Sequence, residues 1–210
     1  MEMPTYRVAL ERWAAELSRR DLDALVRLSG AGRAGPDRIA LRFLGQDFEI
    51  GHPDGQVWTA AGEPVEETLA ILLLLYLIEA DGRPLQDHWI AFEQLPGGAG
   101  YSSAFRGPVL GQLLRTFGER PEALLEAAEG LDGSSLDMGD AAVVLPALPR
   151  VPIAIVLWRG DEEFAPSASV AFDASIEGYL DTEAVTALAG FTSRRLIEAA
   201  RDGTEAEASP

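Results

Sequence analysis

Three amino acids are missing from this 210-residue chain, and their absence excludes several kinds of chemistry. The chain contains no cysteine, no lysine and no asparagine, and its two histidines are His52 and His88. Without cysteine it has no disulfide, no thiolate zinc site and no iron–sulfur cluster of its own. Without lysine it has no Schiff-base nucleophile and no P-loop. Two histidines also exclude an HExxH motif and most histidine-rich metal sites.

Positive charge is scarce as well. All 17 basic residues are arginine, and they stand against 34 acidic residues, so the formal net charge is −17. Such a chain repels phosphate backbones and anionic lipids, and we expect no nucleic-acid partner and no membrane partner. The longest apolar run, Leu69–Ile78, spans about 15 Å as a helix, half of what a membrane crossing needs. With no signal-peptide pattern at its start, the chain is expected to be cytoplasmic.

The residues that are present describe a folded protein. Hydrophobic residues make up 47% of the chain and charged residues 24%, which is typical of a globular domain. We expect residues 1–202 to form a single α+β domain, and residues 203–210 to form a disordered acidic tail.

Helical periodicity is clear in several segments. Apolar residues recur at spacings of three and four over residues 5–19, and Asp21 can cap a second helix that Gly30 ends. Residues 64–80 predict a third helix with Pro64 in its first turn. It is apolar on nearly every face, so we expect one fully apolar core helix. Further helices are predicted at residues 108–117, 121–129 and 182–197.

Two glycine-rich segments resemble phosphate-binding loops without having their setting. Gly30–Gly35 spells GxGxxG, but the nucleotide fingerprint follows a strand and opens a helix, whereas this segment follows a helix and precedes a strand. Gly97–Ser103 lacks the lysine and the spacing of a P-loop, and its composition predicts a flexible loop. We therefore expect neither segment to bind a nucleotide.

The strands are clustered along the chain. Residues 38–59 predict a meander with a tight turn at Gly45–Gln46. Residues 141–145 and 151–158 are continuous apolar runs, as expected for strands that are covered on both faces, and residues 167–172 alternate. About six or seven strands and six helices, clustered and not alternating, predict an α+β fold. Its sheet should be mainly antiparallel, with the helices packed on it.

Residues 148–180 carry a specific pattern: a leucine–proline turn, an apolar strand, WRGDEEF, then a strand that ends in Phe172-Asp173. Together with LLLLYLIEADGRPL and WIAFEQLPGG earlier in the chain, this resembles an uncharacterised prokaryotic family, domain of unknown function 3786. Some members carry an added cysteine-rich iron–sulfur domain, and this cysteine-free chain resembles the stand-alone form. The resemblance implies a cytoplasmic domain near anaerobic redox or one-carbon metabolism, and it implies no particular reaction.

The loop Arg159–Pro166 is the best candidate for a site. It has eight residues where hairpins usually need two to five, and it groups Asp161, Glu162 and Glu163 beside Arg159. These three acids predict either a site for a hard cation such as Mg²⁺ or Ca²⁺, or an acid–base pair. Otherwise the loop is solvated, with Arg159 paired to Glu162 or Glu163. No other cofactor is evident.

Three aromatic or acidic neighbours extend this candidate site. Trp158 and Phe164 flank the acidic residues, and Asp173 follows the next strand. Asp173 is expected to cap the turn that begins at Ala174, or else to join the loop carboxylates. The candidate ligand- or partner-binding residues are therefore Trp158, Arg159, Asp161, Glu162, Glu163, Phe164 and Asp173.

Three functions remain open. We favour a non-enzymatic accessory domain that binds a partner protein or a small molecule, which should show an exposed apolar patch near the loop. The first alternative is a divalent-metal-dependent enzyme that uses Asp161, Glu162 and Glu163, whose carboxylates should then converge in a cleft. The second is a structural subunit, which should have a large apolar interface. The sequence leaves open whether the protein is an enzyme.

The net charge gives a first testable prediction. Because −17 charges repel a phosphate backbone, the protein should show no measurable affinity for duplex DNA or RNA at physiological salt. Fluorescence anisotropy of a labelled duplex checks this, with titrations at two salt concentrations. Micromolar binding that weakens as salt is added would contradict it.

Overall fold

The computed structural model describes residues 4–208, and the side chains of all of these except residues 4–5, 102, 104 and 204–208. This part of the chain forms seven α-helices and nine β-strands. The helices are α1 Pro4–Leu17, α2 Leu22–Ser29, α3 Glu67–Glu79, α4 Gly98–Phe105, α5 Gly111–Phe117, α6 Ala123–Glu129 and α7 Thr182–Ala208. The strands are β1 Gly32–Gly35, β2 Arg38–Phe43, β3 Gln46–Gly51, β4 Val57–Thr59, β5 Trp89–Ala91, β6 Ser134–Ser135, β7 Ala141–Leu148, β8 Val151–Trp158 and β9 Ser167–Asp173.

The strands form two separate sheets. Sheet A is the meander β1–β2–β3–β4, and sheet B has the order β5–β9–β8–β7–β6. Neighbouring strands of both sheets run antiparallel throughout the described residues. The predicted α+β class and the antiparallel pairing are confirmed. The expectation of one sheet with six or seven strands is wrong, because the nine strands divide between two sheets.

The turn between β2 and β3 shows how local chemistry sets the register of sheet A. Leu44 and Gly45 have φ angles of 46° and 76°, and Phe43 pairs with Gln46. Two positive φ values in a two-residue hairpin are the geometry of a type I′ turn, which glycine adopts without strain. The turn therefore lies at Leu44–Gly45, one residue before the predicted position.

The capping predictions for α2 are confirmed. The Asp21 carboxylate accepts a hydrogen bond of 2.9 Å from the backbone N–H of Ala24. Gly30 ends the helix with a left-handed φ of 74°. The following residues, Gly32–Gly35, form strand β1 and lead into β2, so the GxGxxG segment opens no helix.

Helix α3 lies at the centre of the core. It buries Ala70, Leu72, Leu73, Leu74, Tyr76, Leu77 and Ile78. It begins at Glu67 and not at Pro64, because Pro64 forms an isolated bridge with Trp58 at the edge of sheet A. The helix is not apolar along its whole length, since Thr68 and Glu79 are exposed polar residues.

Tyr76 carries the one polar group that α3 places in the core, and its hydroxyl is fully used. It donates a 2.5 Å hydrogen bond to the carbonyl of Ser29, the last residue of α2. It accepts a 3.1 Å hydrogen bond from the backbone N–H of Arg150 in the turn between β7 and β8. Its ring stacks on Tyr179 at a centroid distance of 5.9 Å. Tyr76 therefore connects α2, α3 and sheet B.

Prolines occur inside sheet B without breaking it. Pro146 of β7 and Pro152 of β8 are directly opposite each other. Pro146 lies beyond the residues of β7 that pair with β6, and Pro152 lies beyond those of β8 that pair with β9. Neither position needs an N–H donor, which is the condition under which a sheet tolerates proline. The turn between β7 and β8 therefore consists of Pro149 and Arg150 alone.

The glycine-rich segment predicted as a flexible loop is helical. Helix α4 covers Gly98–Phe105 and continues through a π-helical turn, Arg106–Leu110, into α5. Phe105 of α4 stacks on Phe92 with 4.1 Å between ring centroids, and both rings are buried. Burial of this pair outweighs the low helix propensity of the glycines, which amounts to about 1 kcal/mol for each.

Helix α7 closes the core from the side of α3, α4, α5 and α6. The Asp181 carboxylate caps its first turn by accepting a 2.8 Å hydrogen bond from the N–H of Ala184. The helix continues to Ala208, through most of the segment expected to be a tail; residues 209–210 lie outside the described part. The tail and the single-domain boundary stay predictions. Among the described helices, none is both long enough and apolar enough to cross a membrane.

The central position of α3 predicts the effect of removing one of its side chains. Leu73 is fully buried, so Leu73→Ala should lower the free energy of unfolding by about 2–5 kcal/mol through the cavity that it leaves. Urea denaturation measures this loss. Thr68→Ala, at an exposed position of the same helix, is the control and should change stability by no more than about 0.5 kcal/mol. A Leu73→Ala variant as stable as the control would place α3 outside the core.

The buried tyrosines predict a loss of stability at alkaline pH. Burial raises the pKa of Tyr76 and that of Tyr179, so both remain protonated in the folded protein above pH 10, where an unfolded tyrosine ionises. The free energy of unfolding should therefore fall above about pH 10; the contribution of Tyr76 to this fall approaches about 1.4 kcal/mol per pH unit, and that of Tyr179 has the same sign.

Tyr76→Phe separates this effect from others. At neutral pH this substitution should lower the free energy of unfolding by about 1–3 kcal/mol, because it removes the hydroxyl that bonds the Ser29 carbonyl and the Arg150 N–H. The substitution should also make the free energy of unfolding fall less steeply with pH above about pH 10, because Tyr76 no longer contributes to that fall. Urea titrations from pH 8 to pH 11 measure both quantities, and an unchanged slope would show that Tyr76 ionises freely in the folded state.

Candidate functional site

The acidic loop is a closed turn that its own backbone holds. One carboxylate oxygen of Asp161 accepts hydrogen bonds from the N–H groups of Glu163, at 2.8 Å, and Phe164, at 2.7 Å. The N–H of Asp161 in turn donates to the carbonyl of Phe164 at 2.9 Å. The bonds from Glu163 and Phe164 lower the pKa of Asp161, because they stabilise its ionised form. The carboxylate of Asp161 is therefore engaged inside the loop.

Gly160 is required by the close approach of the two ends of the loop. A Cβ atom at this position would lie 2.6 Å from Cδ of Pro166 and 3.0 Å from the carbonyl oxygen of Phe164. Only glycine leaves room for that contact. Together, Gly160 and the Asp161 turn give the loop one defined shape between β8 and β9.

Arg159 joins the loop to two other segments. Its backbone N–H donates to the Asp140 carboxylate at 2.7 Å, just before β7. Its guanidinium forms an ion pair of 3.0 Å with Glu122, at the start of α6. The expected pairing with Glu162 or Glu163 is therefore wrong, because Arg159 pairs with Glu122, which lies 37 residues earlier in the chain. An exposed ion pair of this kind adds little stability, but it fixes where the side chain lies.

The two aromatic residues of the site are exposed. Trp158, the last residue of β8, has 39% of its surface exposed, and Phe164 at the loop tip has 69%. The depression beside the loop is shallow, with a volume of about 450 Å³, and Gly118 and Glu119 form its other wall. An exposed tip and an open depression do not enclose a substrate or exclude water from one.

Asp173 lies apart from the loop. It stands at the opposite end of β9, about 20 Å from Ser167 by the rise of an extended strand. Its carboxylate is buried and accepts hydrogen bonds from the N–H groups of Ser175, at 2.9 Å, and Gln86, at 3.0 Å. Burial alone would raise the pKa of Asp173, but the hydrogen bonds from Gln86 and Ser175 outweigh it and the pKa is lowered. Asp173 caps the turn after β9, as one of the two expectations had it.

The carboxylates that the structure describes do not form a metal cage. Among the described side chains, no three histidine, aspartate or glutamate residues are grouped as metal ligands would be. Asp161 uses one oxygen on the backbone, and the side chains of Glu162 and Glu163 are exposed. The Mg²⁺ or Ca²⁺ site on these three acids stays a prediction.

Comparison with known families adds one finding. The family model described as a domain of unknown function, DUF3786, matches residues 21–195. The chain belongs to this family. The match covers α2 through about the first half of α7, and so includes both sheets and the acidic loop. No curated protein and no solved structure matches this DUF3786 chain significantly.

Two residues of the DUF3786 site could not be found by reading the sequence. Glu122 and Asp140 position Arg159, but neither belongs to a motif and each is distant from the loop in sequence. The sequence offers only an abundance of carboxylates, and this does not indicate which of them pair with Arg159. The aromatic residues, in contrast, were identifiable because they flank a charged loop directly.

A metal titration tests what the three acids of this DUF3786 protein do. Because Asp161 is engaged with the backbone and no third ligand converges, Mg²⁺ or Ca²⁺ should raise the melting temperature of wild type and of an Asp161→Ala/Glu162→Ala/Glu163→Ala variant equally. The measurement is a thermal melt of both proteins at fixed ionic strength. A true site would stabilise wild type alone, by about 2.7 kcal/mol at a hundredfold excess of metal over its dissociation constant. That result would establish the metal-dependent alternative.

Proposed function

We propose that this protein is a non-enzymatic accessory domain that binds a partner protein through the end of sheet B formed by Trp158 and the loop Arg159–Pro166. The observation that carries the proposal is the exposure of Trp158 and Phe164 at one loop, at 39% and 69%. Aromatic side chains dominate the residues that contribute most to protein–protein binding energy. Neither side chain belongs to the hydrophobic core of the described residues or packs against it.

The rigidity of the loop supports the same proposal. The hydrogen bonds of Asp161 and the two contacts of Arg159 hold the loop in one shape before any partner arrives. A preorganised loop loses less conformational entropy on binding, which increases affinity. Its open shape suits the surface of a protein better than a small molecule, which usually binds in a deeper pocket.

Charge indicates what kind of protein binds. Asp161, Glu162 and Glu163 lie between the two aromatic residues along the chain, and the whole chain carries a net charge of −17. A partner with arginine or lysine around an apolar patch complements this surface and is attracted to it from a distance. The family resemblance supports a cytoplasmic setting beside anaerobic redox or one-carbon metabolism.

Removing both aromatic side chains tests the proposal. The tagged protein is incubated with an extract of the organism that encodes it, captured proteins are identified, and each is purified and titrated by calorimetry. Trp158→Ala/Phe164→Ala should weaken binding at least about 30-fold, the loss expected when an interface loses about 2 kcal/mol of its central contacts.

The matched control removes two exposed apolar side chains elsewhere. Tyr6 and Leu85 are 52% and 45% exposed, and Tyr6→Ala/Leu85→Ala should bind as wild type does. Thermal melts establish that both double variants are folded. A partner that binds both double variants and wild type equally well would overturn the proposed site.

A further inference from the structure

Helices α6 and α7 pack against each other and leave a groove between them beside the end of α5. The groove has a volume of about 520 Å³, which lies within the range of about 300–1,000 Å³ that is typical of pockets for small molecules. It shares no residue with the depression beside the acidic loop. We define the groove by its apolar floor and its two cations, which are Phe117, Arg120, Ala123, Ala127, Ala199 and Arg201.

The floor of the groove is apolar, and most of its residues are small. Ala123 and Ala127 are four residues apart on α6, so they lie on the same face of the helix. Ala199 of α7 and Phe117 of α5 complete the floor. Phe117 and Ala127 are buried, whereas Ala123 and Ala199 pack on the core and keep part of their surface exposed. Because an alanine side chain ends at Cβ, the two helices leave room for an apolar group between them.

Two arginines line the groove without a partner of their own. Within the part of the chain that the structure describes, the guanidinium groups of Arg120 and Arg201 form no ion pair and no hydrogen bond. The chain has 34 acidic residues for its 17 arginines, and arginines elsewhere, such as Arg42 and Arg159, pair with carboxylates. Two unpaired cations at the same groove repel each other, and an anion between them relieves that repulsion.

The charge of the groove is opposite in sign to that of the depression beside the acidic loop. Arg120 and Arg201 against Glu126 give the lining of the groove a net charge of +1. In the depression beside the loop, one arginine stands against four acidic residues, which gives −3. Glu126 is exposed and, among the described side chains, is paired with neither arginine of the groove. The local charge of the groove therefore favours an anion, in a chain whose net charge is −17.

We infer that the groove binds a small organic anion, a monocarboxylate with an apolar body. Arg120 and Arg201 hold the carboxylate, because a guanidinium group donates two parallel hydrogen bonds to a carboxylate and is only weakly hydrated. The apolar body lies on the alanine floor. A lining charge of +1 matches one negative charge, whereas a phosphate monoester brings about two against Glu126. This ligand site is additional to the partner-binding loop and does not depend on it.

A fluorescent anion tests the site directly. The probe is the dye anilinonaphthalene sulfonate, ANS, which carries one negative charge on an aromatic body. The matched dye phenylnaphthylamine, NPN, has the same body without the charge. Wild type should bind ANS at least about tenfold more tightly than NPN, because ANS alone pairs with the two arginines. Fluorescence titrations measure both affinities, and equal affinities for the two dyes would overturn the inference.

Removing the two arginines tests their role in the same titration. Arg120→Ala/Arg201→Ala should weaken binding of ANS at least about tenfold and so remove the preference over NPN. The matched control, Arg7→Ala/Arg27→Ala, removes the same two charges from exposed positions on α1 and α2 and should bind ANS as wild type does. Thermal melts establish that both double variants are folded. Equal losses in the two variants would show that net charge acts and not a site, and would overturn the inference.

Displacement of bound ANS tests the class of the ligand. Octanoate carries both a carboxylate and an apolar chain, octanol carries an apolar chain alone, and acetate carries a carboxylate with almost no chain. Octanoate should displace ANS at a concentration at least about tenfold below that of either of the others, because it alone contacts both the arginines and the apolar floor. Displacement by acetate or by octanol at the same concentration as octanoate would overturn the proposed ligand class.

Filling the groove tests whether the ligand lies between the helices. Ala123→Phe and Ala199→Phe each place a ring on the floor and leave Arg120 and Arg201 unchanged. Each variant that thermal melts show to be folded should bind octanoate at least about tenfold more weakly, because the ring occupies the space of the apolar chain. The control Ala15→Phe, at an exposed position of α1, should bind octanoate as wild type does. Calorimetry measures these affinities, and wild-type affinity in the filled variants would overturn the inference.

Discussion

The hydroxyl of Tyr76 is the contact on which the arrangement of the elements depends most. It lies in the core, yet it bonds the end of α2 and the turn between β7 and β8 at the same time. Strand β8 starts one residue after that turn, at Val151, and ends about 23 Å away at Trp158. The core therefore fixes one end of the strand, and the other end presents the acidic loop. A buried polar group with both partners satisfied specifies such a junction more strictly than apolar contacts do, because an unpaired alternative is costly.

Sequence rules were sufficient where the chemistry is local. The cap of α2 at Asp21, its end at Gly30 and the cap at Asp173 follow from hydrogen bonds between residues no more than four apart. The bounds of β8 were predicted in full, because Pro149 precedes the apolar run at its start and the charged loop that begins at Arg159 follows it at its end. These elements form the part of the fold that a reader of the sequence can place without knowing the rest.

Sequence rules failed where distant residues decide. Helix α4 exists because Phe105 meets Phe92, a contact that glycine-rich composition does not reveal. The division into two sheets is equally hidden, since each hairpin looks the same whichever sheet it joins. In the site, Arg159 was expected to pair within its loop, but the fold supplies Glu122 and Asp140 from two other segments. The aromatic residues of the site were identified from the sequence, and their exposure required the structure.

The pairing of β5 with β9 has a consequence for how the molecule assembles. The two strands are separated by about 80 residues, whereas the strands of sheet A, and β7, β8 and β9 in sheet B, follow one another along the chain. Closing a long loop is slower than forming a hairpin, since chain entropy is lost before any contact forms. Sheet A and the β7–β9 meander are thus the units that can form first, whereas β5 pairs with the edge of β9 only by closing a loop of about 80 residues that contains α4, α5 and α6. The hairpin of β8 and β9, which carries the acidic loop, would then form before β5 pairs with the free edge of β9.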